Sequence, residues 1–177
     1  LIFPDIREDM FISLLYLILA HDSGDVVMAR AGHDPPLLCR SDQDSDVETL
    51  SPVGMAAGID KGEVFDRIVQ DYRFTMQTGD VLLLYTDGAT EMLDESGEEF
   101  GVGRLSDVLR ESHKQGADAV IEKILAALED FSGSGQQHDD ITLIAVQKRR
   151  IVPSRDWTLH STNWVRSGPT NHPMRIL

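Results

Sequence analysis

The stretch Val81-Leu82-Leu83-Leu84-Tyr85-Thr86-Asp87-Gly88 decides how this chain reads. Its apolar run stops at a Thr-Asp-Gly triplet. A short aliphatic run bounded by turn-type residues is the mark of a buried strand. A second such stretch follows later, where Asp139-Asp140 stand directly before Ile141-Thr142-Leu143-Ile144-Ala145-Val146. Each acidic motif therefore sits at the lip of a strand. Carboxylates brought together repel by about 1 kcal/mol at 4 Å in water, and more when partly desolvated. A hard divalent cation, which prefers oxygen ligands, removes that penalty. Taken singly, each motif also suits a plain turn with a solvated charge. Glu91 adds a nearby carboxylate that serves equally well as a surface group.

Working outward, residues 10–19 read as a strand buried on both faces. Residues 21–25 form a turn, and residues 26–31 the returning strand of a hairpin. Residues 32–36 must be a loop, since Pro35 and Pro36 cannot sit inside a central strand. Residues 37–40 and 47–50 read as short strands, the second at an edge, and residues 54–62 as a glycine-rich loop. Over residues 64–76 a helix would use Val64, Phe65, Ile68, Val69 and Tyr72, and a strand Tyr72, Phe74 and Met76; a strand after about Arg67 is expected. Two helices follow. One carries Val102, Leu105, Val108 and Leu109 on one face; the other has the stripe Val120, Ile121, Ile124, Leu125, Leu128 and Phe131. Asp118 is the expected N-cap of the second and Gly133 its stop. Many strands in hairpin order, then two helices and one strand, favour an α+β fold with a mostly antiparallel sheet.

The 177 residues suit one domain, and 41% apolar content is ordinary for a globular protein. The longest apolar stretch, residues 10–20, is shorter than the roughly 20 residues a membrane-spanning helix needs. No basic segment precedes it, so it does not read as a signal peptide. The single cysteine, Cys39, excludes an internal disulfide and a Cys-rich zinc site, and reads as a half-buried free thiol. A cytoplasmic setting is the expectation. The net charge of −14 is uneven: residues 1–147 hold 10 Lys and Arg against 29 Asp and Glu, while residues 148–177 hold 6 against 1. The acidic body should repel nucleic acid and anionic membrane. Residues 149–177 read as an irregular basic extension of a domain covering residues 1–148.

Ala31-Gly32-His33-Asp34-Pro35-Pro36 is the other loop with chemical potential. His33 could orient a phosphate, a water or a neighbouring loop, or simply hold its own loop through backbone. No nucleophile elbow and no phosphate-binding glycine loop is present.

In order along the chain, Met10-Phe11, Gly24, the Ala31-to-Pro36 loop, Gly79-Asp80, Tyr85-Thr86-Asp87-Gly88, Glu91, Phe100-Gly101 and Asp139-Asp140-Ile141-Thr142 resemble a known family. They are similar to the C-terminal part of bacterial metal-dependent serine/threonine protein phosphatases of the type 2C superfamily. The subgroup is that of sporulation stage II protein E and the sigma-B regulatory phosphatases. The resemblance spans about residues 10–147. It implies a four-layer α-β-β-α sandwich, here incomplete at its N-terminus, with two Mn²⁺ or Mg²⁺ ions in the complete domain. It implies hydrolysis of phosphoserine or phosphothreonine, with water rather than an enzyme side chain as nucleophile. Asp87 and Asp139 would be metal ligands, Gly88 and Asp140 would support the metal edge, and Gly32 and His33 would lie in a loop near the site. The implied partner is a phosphorylated anti-anti-sigma-like protein, with a sensor domain N-terminal in a full-length protein and no nucleic acid or membrane contact from this segment.

The departure lies upstream. The family places a Gly-Asp motif and an Asp-x-x-Gly-His-Gly-type motif before the Met-Phe strand, and neither is in this chain, which opens on Leu1 without a methionine. The expectation is a fragment that holds half of a metal site, binds one ion weakly and turns over poorly. The competing expectation is a catalytically inactive module that docks a partner in a sigma-factor regulatory system.

Overall fold

The computed structural model describes residues 10–20, 22–42, 46–60, 62–133, 139–149 and, as backbone alone, 157–164. The chain divides into two compact units, Leu1–Pro35 with Leu50–Met76, and Pro36–Thr49 with Gln77–Leu177.

The first unit is built on an antiparallel sheet of order β1-β2-β5, from β1 (Leu14–Leu19), β2 (Asp25–Ala31) and β5 (Tyr72–Thr75). The β1–β2 hairpin runs in register from Leu14↔Ala31 to Leu19↔Val26. The apolar residues at 64–76 divide between two periods: a short helix α1 (Glu63–Ile68) takes the first part and β5 begins only at Tyr72. Asp60 stabilises the start of α1, its carboxylate accepting the amides of Gly62 and Val64 at 2.9 and 2.8 Å. β1 is not buried on both faces. Its residues alternate between exposed and half-buried, because it forms the edge of the sheet with β2 as its only strand neighbour among the described residues.

The second unit carries a sheet of order β4-β3-β6-β7-β8, antiparallel throughout. Its strands are β3 (Leu37–Cys39), β4 (Val47–Thr49), β6 (Val81–Tyr85), β7 (Ile141–Lys148) and β8 (Trp157–Trp164). One face, through Leu37, Cys39, Val81, Leu83, Leu143 and Ala145, joins a core with α3 (Gly101–Ser112) and α4 (Ala117–Ser132). Leu38 and Leu82, which point to the other face, are also buried. Burial on both faces is why these strands read as unbroken apolar runs. Cys39 is fully buried rather than half-buried, and burial, then the charge of Asp80, pushes its thiol pKa up.

Three details depart from the sequence reading. Val102 is exposed, so the buried face of α3 rests on Leu105 and Leu109. Gly116 takes the N-cap position of α4, and Asp118 sits in the first turn, where a carboxylate meets the positive helix end. Trp157–Trp164 form a strand, not an irregular tail: β7 offers a ladder of backbone partners from Ile141↔Trp164 to Lys148↔Trp157. The remainder of residues 151–177 lies outside the described residues, as do residues 134–138.

A buried carboxylate locks the far end of this sheet. Asp80 Oδ1 accepts the Ser41 amide at 2.9 Å, and Oδ2 accepts the Gln77 amide at 2.8 Å and the Arg40 guanidinium at 3.1 Å. Its backbone carbonyl accepts the Lys148 amide at 3.1 Å. Burial works to lower the Arg40 pKa, but hydrogen bonds to Glu48 and Asp80 outweigh it and hold the group above its ordinary value. Asp80→Ala strands these donors and should lower the unfolding free energy by about 3 kcal/mol in urea titration. Asp80→Asn should lose less. An unchanged midpoint for the alanine variant would show that the latch contributes nothing.

Candidate metal centre

The site is assembled where β6 ends and β7 begins. Their register runs from Val81↔Gln147 to Tyr85↔Leu143, so the residues just past Tyr85 meet those just before Leu143. Thr86 fastens this end. Its amide donates to the Thr142 carbonyl at 3.1 Å. Its Oγ1 accepts the Thr142 amide at 3.0 Å and donates to the Asp140 carbonyl at 3.1 Å. One hydroxyl thus binds the backbone on both sides of Ile141.

Past Thr86 the chain turns into a single helical turn, α2 (Asp87–Thr90), rather than a plain β-turn. This buries Gly88 and Ala89 and leaves the Asp87 side chain exposed. Gly88 lies directly against the second acidic motif. A Cβ placed there would stand 2.5 Å from the Asp140 carbonyl oxygen and 3.3 Å from the Asp139 carbonyl carbon. Only a residue without a side chain allows the two acidic segments to come this close. Each aspartate also orders its own turn: Asp87 Oδ1 accepts the Gly88 amide at 2.9 Å, and Asp139 Oδ1 accepts the Asp140 amide at 2.7 Å.

Asp87, Gly88, Asp139 and Asp140 are therefore held at one sheet end, with three carboxylates exposed around a backbone contact. Hard oxygen donors of this kind suit Mn²⁺ or Mg²⁺. Among the described residues, however, no group of three His, Cys, Asp or Glu side chains is placed to hold an ion. The donor set fits a share of a cation site. Glu91 does not complete such a group; its amide caps α2 by donating to the Asp87 carbonyl at 2.8 Å.

Gly32 and His33 belong to the other unit. Gly32 has φ +76°, and a Cβ there would come within 2.7 Å of Ala56. His33 Nδ1 lies 3.0 Å from the Asp34 carbonyl. Arg30 staples the loop, donating to the His33 carbonyl at 2.8 Å and twice to the Pro52 carbonyl at 3.0 and 2.8 Å. This favours the loop-holding role for His33.

A family profile described as Stage II sporulation protein E (SpoIIE) matches residues 1–149. The chain belongs to the SpoIIE family. It is 28% identical over 148 residues to the phosphoserine phosphatase RsbU of Bacillus subtilis, covering 82% of this chain and 41% of that protein. A crystal structure of the RsbU and RsbW domains of Rv1364c from Mycobacterium tuberculosis superposes with a TM-score of 0.60 at 25% identity, over 80% of this chain and 37% of that one. The SpoIIE phosphatase domain of Bacillus subtilis, from Mn-presoaked material, superposes with a TM-score of 0.57 at 18% identity, over 81% of this chain and 59% of that one. The fold is that of the type 2C phosphatases, and this chain spans about two fifths of the curated RsbU relative.

Sequence reasoning found the two acidic motifs of this SpoIIE-family chain, with Thr86 named in the first but given no role, and missed Arg30. The signal for Thr86 was its place between an apolar run and Asp-Gly; Arg30 left none. After α2, Asp94 closes a tight loop. Its carboxylate accepts the Glu98 amide at 2.8 Å, with Ser96 adding its hydroxyl and amide, and these bonds hold the Asp94 pKa below the usual carboxylate value. A depressed folded pKa means that its stabilising contribution is present above the ordinary carboxylate range and is lost as pH falls through the lowered value. The Ser96 and Glu98 amide resonances should therefore titrate in NMR with a midpoint below that of exposed carboxylates; an ordinary midpoint would contradict the loop geometry.

Gly88→Ala forces backbone to move and should destabilise the chain by about 2 kcal/mol. Thr86→Val, which keeps shape but loses the hydroxyl, should cost about 1–2 kcal/mol. Urea denaturation checks both, and wild-type midpoints would mean that the two motifs are not clamped together.

Proposed function

We propose that this chain carries the Asp87–Asp139 share of the metal edge of a protein phosphatase that hydrolyses phosphoserine or phosphothreonine. The substrate class is a phosphorylated regulatory protein of the anti-anti-sigma type. The observation that carries this reading is the seat of Gly88 against the Asp139–Asp140 peptide, which gathers acidic motifs from strands far apart in sequence. Membership of the SpoIIE family supports phosphatase chemistry. The names of RsbU, a phosphoserine phosphatase, and of a relative joining RsbU and RsbW domains support a regulatory protein substrate.

Asp87 and Asp139 would hold the cation, and Asp140 adds negative potential beside them. The chain orients these groups through Thr86 and excludes bulk from the contact through Gly88. A bound Mn²⁺ or Mg²⁺ would supply Lewis acidity toward a phosphoryl oxygen and toward water. With two assigned ligands rather than three, affinity should be weak and turnover slow.

Calorimetric titration with Mn²⁺, paired with assays on p-nitrophenyl phosphate and a phosphoserine protein, tests this. Asp87→Asn and Asp139→Asn should each weaken Mn²⁺ binding at least tenfold and remove whatever turnover the chain shows. Mn²⁺ binding indifferent to both substitutions would overturn the assignment. Absence of any binding, with retained capture of an anti-anti-sigma-type protein, would favour the inactive docking module.

A further inference from the structure

The start of β7 is held from two sides. On one side stands β6. Thr142 donates its amide to the Thr86 hydroxyl at 3.0 Å and accepts the Thr86 amide at 3.1 Å. At the other end of the strand, Lys148 donates its amide to the Asp80 carbonyl at 3.1 Å and accepts the Gly79 amide at 2.7 Å. Backbone groups in an antiparallel sheet alternate from one side of the strand to the other. The even-numbered residues of β7 therefore serve β6, and the odd-numbered ones turn their amides and carbonyls the opposite way. There they meet β8, with Ile141, Leu143 and Ala145 opposite Trp164, Thr162 and His160. This second holder lies beyond the segment that the SpoIIE profile matches, which ends at residue 149. It is also an edge strand of its sheet among the described residues.

The antiparallel register brings the C-terminal end of β8 to the end of β7 that carries the acidic motif. Trp164 stands opposite Ile141, the residue directly after Asp139-Asp140. From the β6 side Thr86 binds the Asp140 carbonyl and the Thr142 amide, but the backbone groups of Ile141, between them, face β8. We propose that β8 is a positioning element of the candidate metal edge. Its pairing with Ile141 and Leu143 completes the grip on the Asp139–Asp140 segment that Thr86 begins. A carboxylate one or two residues beyond a strand shares the order of that strand's first pairs, and strand ends whose backbone groups face water open most readily. Charge favours this segment of the chain as the occupant, since residues 148–177 hold 6 Lys and Arg against 1 acidic residue while residues 1–147 hold 10 against 29. The effect on cation binding rests on the reading of Asp139 as a ligand; the grip on the backbone does not.

NMR on the full chain tests the pairing. Non-hydrogen-bonded pairs of an antiparallel ladder bring their Hα atoms together, so Hα–Hα NOEs are expected for Thr142 with Asn163 and for Ile144 with Ser161. Proline then separates the two sides of β8, because an edge strand tolerates it only where the amide faces solvent. Thr162→Pro removes an amide that serves β7. It should speed exchange of the Ile141 and Leu143 amides by roughly tenfold or more while the α3 amides stay protected. Nitrogen-15 relaxation should show Asp139 and Asp140 gaining mobility, and calorimetry should show Mn²⁺ binding weakened by roughly tenfold. Asn163→Pro, whose amide lies on the side away from β7, should leave every one of these readouts at its wild-type value. Missing NOEs in the unsubstituted chain would overturn the proposal. So would faster exchange at Leu143 with Asp139 and Asp140 unmoved, or Mn²⁺ binding that stays the same or tightens in Thr162→Pro. A chain that binds no Mn²⁺ at all would instead refute the ligand assignment, and the mobility of Asp139 and Asp140 would still decide whether β8 positions them.

Discussion

The pairing of β6 with β7 is the interaction on which the second unit depends. It joins segments that the two main helices separate in sequence, so the chain meets the entropy of closing a long loop before the pair forms. What offsets that cost is burial of both faces of the ladder. A slip of one residue would turn Leu83 and Leu143 away from α3 and α4, exchanging their core positions with those of their neighbours. The same slip would part Thr86 from Thr142 and move Gly88 off the Asp139–Asp140 peptide. Register, core and candidate site are thus set by one alignment of two strands.

The ends of that ladder are treated differently. At Asp80 every carboxylate contact goes to protein: backbone amides and a guanidinium take up the charge. At Asp87 and Asp139 each carboxylate takes an amide from the next residue and the side chains remain exposed. A buried carboxylate satisfied by protein donors stabilises the fold, whereas an exposed one keeps its charge in contact with solvent. This contrast separates the buried Asp80 from the exposed Asp87 in sequences that look alike, Gly79-Asp80 and Asp87-Gly88.

Much of the fold was legible. The hairpin of β1 and β2, the strand at 81–85, the run at 141–146 that lies in β7, and the amphipathic helices followed from runs, turns and period. Burial was less legible. An unbroken apolar run in β6 and the one in β1 look the same, yet the first is buried on both faces and the second lies at an edge. Local sequence records the apolar character of a strand and not its neighbours. The span from Val64 to Met76 failed for a related reason, since a short helix and a short strand share apolar residues there and only the pairing of β5 with β2 draws the boundary. β8 was missed because its partner is β7, not any pattern of its own.

What the sequence by itself determined is the chemistry on offer: carboxylates at strand ends, no side-chain nucleophile motif, one thiol, and a set of motifs in the order of the SpoIIE family. It could do so because residue identity fixes charge and donor type. Only the tertiary structure decided which of these groups lie together. It brought the Asp87 segment against the Asp139–Asp140 segment, gave Asp80 to a structural latch, and placed β1 at the edge of its sheet among the described residues. Those outcomes depend on strand register and on close backbone approach at Gly88, and both are set by contacts between residues distant along the chain.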